Sequence, residues 1–82
     1  MIVSIIKAEY IKDYSIMLNF DNGRKGLVNL KSTIFNDKRK IFKPLRDIEY
    51  FKRFTLGSWT LNWENELDLA PEYLYKLATK EG

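Results

Sequence analysis

The sequence predicts an α+β fold, a small antiparallel sheet in the order β-β-β-α-β-β-α with two short helices. Three observations carry that expectation. Residues 14–20 alternate apolar and polar side chains, then meet an Asp21-Asn22-Gly23 turn and a second extended run. Residues 55–63 repeat the arrangement of strand, glycine-containing turn and strand. Two stretches, 48–54 and 71–78, space their apolar residues at helical intervals instead. Strands that come in runs, rather than alternating singly with helices, indicate an antiparallel sheet.

Taken in order, residues 2–10 read as a first strand, with Val3 and Ile5 on one face and Ile2, Ile6 and Ala8 on the other. In the second strand Tyr14, Ile16, Leu18 and Phe20 alternate with Ser15, Met17 and Asn19. The return strand covers residues 24–30, and its register follows from hydrophobicity. A two-residue Asn22-Gly23 loop sets Phe20 against Lys25 and Ile16 against Asn29, placing polar residues on the apolar face. A three-residue loop with Gly23 left-handed pairs Leu18 with Gly26, Ile16 with Val28 and Tyr14 with Leu30. The bulged loop is therefore expected. A short irregular or helical piece surrounds Ile34 and Phe35, residues 36–40 form a polar loop, and Phe42 and Leu45 return to the core around Pro44. Asp47 is placed to cap a helix of about two turns bearing Ile48, Phe51 and Phe54. A second hairpin turns at Gly57-Ser58, and Trp59, Leu61 and Trp63 share a face of its return strand. Ala70 precedes Pro71 and stays extended, Pro71 suits the first helical position, and Tyr73, Leu74, Leu77 and Ala78 make the apolar stripe of the last helix.

With 82 residues the chain is expected to be one domain, 1–82. A chain of this length buries only roughly 60–65% of its unfolded surface, so large aromatic residues matter to its core. It has no cysteine and no histidine, which removes disulfides, thiolate and imidazole metal sites and the commonest general base. Lys7, Glu9 and Lys12 interrupt the apolar start before the run of about 7–15 residues that a secretion signal needs. No stretch reaches the roughly 20 apolar residues of a membrane span. The expectation is a cytoplasmic protein with no membrane partner, no cofactor, no metal and no catalytic residue. Charge is divided along the chain. Residues 1–53 carry twelve Lys/Arg against six Asp/Glu, and residues 54–82 carry two against five.

Three groups of residues are candidates for chemistry. Seven cations, Lys38, Arg39, Lys40, Lys43, Arg46, Lys52 and Arg53, lie close together with Phe42, Tyr50 and Phe51 between them. Phosphate contact with base stacking is the functional reading, and a solvated charged surface with core aromatics the structural one. Glu64, Glu66 and Asp68 alternate, and in an extended segment their carboxylates point one way, as a hard cation or an acid–base pair requires. They have no supporting histidine or glycine-rich loop. Asp68 is better explained as a structural acceptor for backbone amides at the start of the last helix. Trp59, Trp63, Asn65, Asp68 and Tyr75 make an aromatic and acidic corner that suits a small partner protein, although Trp63 fits the core as well. The edges of a five-stranded open sheet offer a further contact, including with a second copy to give a homodimer.

Phe20-Asp21-Asn22-Gly23, Val28-Asn29-Leu30, the segment Phe42 to Asp47 with Phe51, and above all Trp63-x-Asn65-x-x-Asp68-Leu69-Ala70-Pro71-Glu72-x-Leu74-Tyr75 resemble small bacterial proteins of the domain of unknown function 2442 family. The resemblance spans nearly the whole chain. Two departures stand out: many relatives read Trp-Pro-Asn-Gly where this chain has Trp63-Glu64-Asn65-Glu66, and Asn29 replaces a frequent aspartate. The resemblance implies a stand-alone domain with no established activity. Genes of the family often lie beside another small gene, in arrangements like those of toxin–antitoxin pairs. That implies a binding partner rather than a substrate. A non-enzymatic module docking a partner protein is the expected function, and a nucleic-acid-binding regulator the alternative.

Overall fold

The computed structural model describes residues 3–57 and 59–79. Strands β1 (Ile5–Lys12), β2 (Ser15–Phe20) and β3 (Lys25–Asn29) form an antiparallel sheet with β2 in the middle. Helix α1 (Lys31–Asn36), a 3₁₀ segment (Lys40–Arg46) and the one-turn helix α2 (Ile48–Phe51) follow. A hairpin of β4 (Thr55–Gly57) and β5 (Thr60–Asn62) precedes α3 (Pro71–Thr79). The α+β class and the strand order are those the sequence predicts. The helical content is larger, because the stretch around Ile34 is a true helix and Pro44 is accommodated in a 3₁₀ turn.

The β2–β3 register is the one derived from hydrophobic matching. Leu18 faces Gly26 and Ile16 faces Val28, with Gly23 left-handed at φ 89°. The Phe20 N–H donates to the Arg24 carbonyl at 2.8 Å and the Gly23 N–H to the Phe20 carbonyl at 3.1 Å. Residues 63–67 repeat this loop. There the Trp63 N–H donates to the Leu67 carbonyl at 3.0 Å and the Glu66 N–H to the Trp63 carbonyl at 2.9 Å, with Glu66 at φ 71°. In each loop an asparagine, Asn22 or Asn65, accepts from the amide two residues on at 3.1 Å.

Two expectations about β1 and β2 are corrected. A bulge at Ile6 shifts the register from Ile5 opposite Phe20 to Lys7 opposite Asn19. Val3 and Ile5 are buried, Ala8 and Tyr10 take over the inner side beyond the bulge, and Ile6 is expelled to solvent. Tyr14 does not begin β2. It sits with Asp13 in a two-residue turn in which both residues are left-handed, at φ 66° and 51°. Its ring packs edge-on against Phe35 and Phe51, and its hydroxyl donates to the Arg46 carbonyl. Burial with a satisfied hydroxyl offsets a backbone conformation that costs about 1–2 kcal/mol. Desolvation, and next the charge of Asp47, push the Tyr14 phenol above its ordinary pKa, so it stays a donor.

The expected five-stranded sheet is two sheets, one of three strands and one of two. Among the described residues one main-chain bond, from the Ile5 N–H to the Trp59 carbonyl at 3.0 Å, ties the second to the start of β1. Just past it the Ile6 bulge turns β1 aside and the ladder stops. Asp47 caps α2 as expected, accepting from the Glu49 amide at 3.1 Å, but the helix ends at Phe51 rather than continuing to Phe54. The hairpin turn expected at Gly57-Ser58 includes Ser58, which lies outside the described residues, as does Ile2.

Helix α3 lies against the inner side of β3. A Cβ built on Gly26 falls 2.3 Å from the Ala78 carbonyl oxygen, a backbone atom with little room to yield. Gly26→Ala is therefore expected to push α3 off the sheet and lower stability by about 1–3 kcal/mol, read as a lower denaturant midpoint in chemical unfolding.

Candidate functional site

The tip of the β4–β5 hairpin displays the most exposed large apolar side chain among the described residues. Trp59 is 71% exposed and sits at φ 71°, a left-handed conformation unfavourable for an aromatic residue. The expectation that Trp59 shares a face with Leu61 and Trp63 fails here, because β5 begins at Thr60 and the left-handed Trp59 stands before it. With Ile5, Ile6, Leu56 and Gly57 it lines an apolar cleft of about 440 Å³. Ile6 is 62% exposed, put there by the β1 bulge, and Leu56 is exposed on β4.

Trp63 and Asn65 hold structure. Trp63 is 4% exposed, stacks at a tilt on Phe51 and donates its indole N–H to the Phe51 carbonyl at 2.9 Å. The Asn65 amide nitrogen donates to the Ile41 carbonyl at 2.9 Å, and its backbone N–H donates to the Tyr50 hydroxyl at 3.0 Å. Asn65 thus ties the 63–67 loop to the 3₁₀ segment and α2. Tyr75 lies elsewhere, its ring edge-on to Phe20 at 5.0 Å and its hydroxyl 3.1 Å from the Asn22 amide nitrogen and 3.4 Å from an Arg24 guanidinium nitrogen.

The alternating carboxylates are not aligned. Glu64 and Glu66 belong to the tight loop, and Asp68 lies on the arm beyond it, bridged to Asn62. Among the described residues no three acidic side chains gather as a metal site, and the Asp68 carboxylate has no hydrogen-bond partner. It does not cap α3. It lines a second cleft, of about 370 Å³, shared with Thr33, Asp37, Arg39, Leu69 and Tyr73.

The basic stretch divides in the same way. Arg39 grips Asp37 with two parallel bonds, Nη2 to Oδ2 at 2.7 Å and Nε to Oδ1 at 3.0 Å, and covers the Phe42 ring at 5.1 Å. Those hydrogen bonds hold the Asp37 carboxyl at a pKa of about 2. Arg46 lies over Phe35 and donates to the carbonyls of Phe35 and Asp37 at 3.4 and 3.5 Å. Lys52 pairs with Glu49 at 3.7 Å and reaches over the Tyr10 ring. Lys38, Lys40, Lys43 and Arg53 are exposed and make no ion pair among the described residues.

The sequence model of the family described as Protein of unknown function (DUF2442) matches residues 5–80. The chain belongs to this family. No curated protein and no solved structure matches it. The two departures from the DUF2442 pattern now have physical accounts. Glu66 occupies the left-handed position of this loop, where the resemblance implies glycine, and the turn forms regardless. Asn29 uses both ends of its amide. Its oxygen accepts from the Lys31 N–H at 2.9 Å, while its nitrogen donates to the Ser15 hydroxyl at 3.0 Å and the Asp13 carbonyl at 3.3 Å. An ionised aspartate has no proton for the last two contacts.

Because Glu66 is exposed and pays for φ 71° without a compensating contact, Glu66→Gly is expected to raise stability by up to about 1 kcal/mol. Chemical unfolding checks this, and a loss of stability would show that the side chain contributes more than the backbone strain removes.

Proposed function

We propose that this DUF2442 chain is a non-enzymatic binding module that docks a small partner protein, in an antitoxin-like or regulatory accessory role in the cytoplasm. The observation that supports it is the presentation of Trp59. A tryptophan held in a left-handed turn and left 71% exposed is unfavourable for the free chain, and among the described residues no hydrogen bond or ring contact engages the indole. With Ile6 and Leu56 it builds an exposed apolar surface around a cleft, the type of feature that marks interfaces. Tryptophan is also the residue type most often found at the energetic centre of a protein–protein contact. Trp63 and Asn65 serve this surface from behind, by holding the chain that carries the hairpin, and Asp68 and Tyr75 lie on other parts of the molecule.

A second reading has its own support. Lys38, Lys40, Lys43 and Arg53 project into solvent, and phosphate contact by such residues gives nucleic-acid binding without sequence-specific readout. Arg39, Arg46 and Lys52 contribute less to it, since each is already engaged.

Co-expression with the product of the neighbouring gene, followed by capture from nuclease-treated and untreated lysates, tests both. A stoichiometric protein that survives nuclease is expected for the native chain, and Trp59→Ala is expected to weaken it by at least about 30-fold, equivalent to about 2 kcal/mol. Thermal stability of the variant should be little changed, because the ring is exposed and alanine keeps the same left-handed backbone. Undiminished binding by folded Trp59→Ala excludes this surface. Recovery of nucleic acid that disappears on treatment, with steeply salt-dependent affinity, supports the second reading instead.

A further inference from the structure

We infer that the cleft between α1, the 3₁₀ segment and the start of α3 is a receptor for a basic side chain, lysine or arginine, carried by another polypeptide. The inference stands on its own geometry and does not depend on Trp59, since no residue lines both clefts.

The charge of the lining selects the guest. Arg39 neutralises Asp37 through its two bonds, and this leaves Asp68 as the uncompensated charge. An anion entering the cleft meets that carboxylate, and Arg39 has already committed its fork. An uncharged apolar group would strip water from Asp68 and return no hydrogen bond, which is unfavourable for a carboxylate. A cation satisfies it. One of the Thr33 and Tyr73 hydroxyls donates to the other at 2.6 Å, and both oxygens keep acceptor lone pairs for a further donor. Leu69 and Ala70 give the methylenes of a long cationic side chain an apolar wall.

Asp68 is also fixed in place before any guest arrives. Its backbone bridges to Asn62, the Leu69 N–H donates to the Leu61 carbonyl at 3.4 Å, and the buried Thr60 hydroxyl donates to the Leu69 carbonyl at 2.5 Å. Pro71 directly after Ala70 removes further freedom from the segment. The carboxylate therefore stands on a preorganised arm, and little ordering remains to oppose binding.

The test is an NMR titration of the full-length labelled chain with the blocked tripeptide amide Gly-Arg-Gly, using Gly-Gln-Gly as the uncharged control. Saturable shifts centred on Thr33, Asp68 and Tyr73 are expected with the arginine peptide, and not with the glutamine peptide. Asp68→Asn, at an exposed position, is expected to retain the native spectrum and weaken binding at least tenfold. Tyr73→Phe is expected to weaken it less, and Trp59→Ala not at all. Equal response to both peptides, no saturable shift, or undiminished binding by folded Asp68→Asn overturns the assignment. Shifts at the same residues that grow with protein concentration in the absence of peptide would identify a second copy as the guest and overturn the assignment to another polypeptide.

Discussion

Phe51 is the residue on which the three parts of the molecule converge, and its environment explains how so short a chain holds together. Its ring is fully buried. Tyr10 and Tyr14 reach it edge-on from β1 and the following turn, at 6.1 and 5.1 Å, Phe54 from the chain just beyond at 6.5 Å, and Trp63 from beside the second hairpin at 5.8 Å. Its carbonyl meanwhile takes the Trp63 indole proton. Truncating a buried ring of this type removes about 3–5 kcal/mol, which is comparable to the whole stability of many small domains. The three-stranded sheet, the helical middle and the hairpin each bury too little surface to stand alone. Phe51 is placed by a one-turn helix, and that helix exists because Asp47 caps it.

The backbone carries its strain in two different ways. At Tyr14 the left-handed conformation delivers a ring into the core and a hydroxyl to the Arg46 carbonyl, so the cost is recovered by packing. At Trp59 and Glu66 the same backbone region delivers side chains to solvent. Glu66 has a ready account in the loop it completes, a copy of the Gly23 loop with asparagine in the matching place. Trp59 has its account in the main chain, where its carbonyl accepts from the Ile5 N–H at 3.0 Å, while its indole is left in solvent.

Local features of this protein are legible in its sequence, and features set by distant contacts are not. The β2–β3 register follows from matching Ile16 and Leu18 to Val28 and Gly26, because a slip would bury asparagine and lysine. The Asp47 cap follows from one carboxylate next to a short apolar pattern. The burial of Trp63 could only be weighed, since its decisive partner is a carbonyl twelve residues away. The Asn65 contacts were not legible for the same reason: Ile41 and Tyr50 are remote, and an asparagine two residues after a tryptophan gives no sign of them. The displacement of Ile6 depends on a bulge that alternation alone conceals. The division into two sheets follows from it. As for the clefts, Trp59 and Asp68 were legible as candidates, but not that they belong to separate surfaces.

The main-chain bond from Ile5 to Trp59 joins the two sheets, and it ends on the residue whose indole stands in solvent. The carbonyl of Trp59 is thus a fastener and its side chain a handle on one short turn. A molecule that grips the handle also steadies the fastener, and through it the first strand just ahead of its bulge. Occupancy at the hairpin tip would therefore be felt as slower opening of the seam between the sheets, transmitted through the backbone without any change in the core.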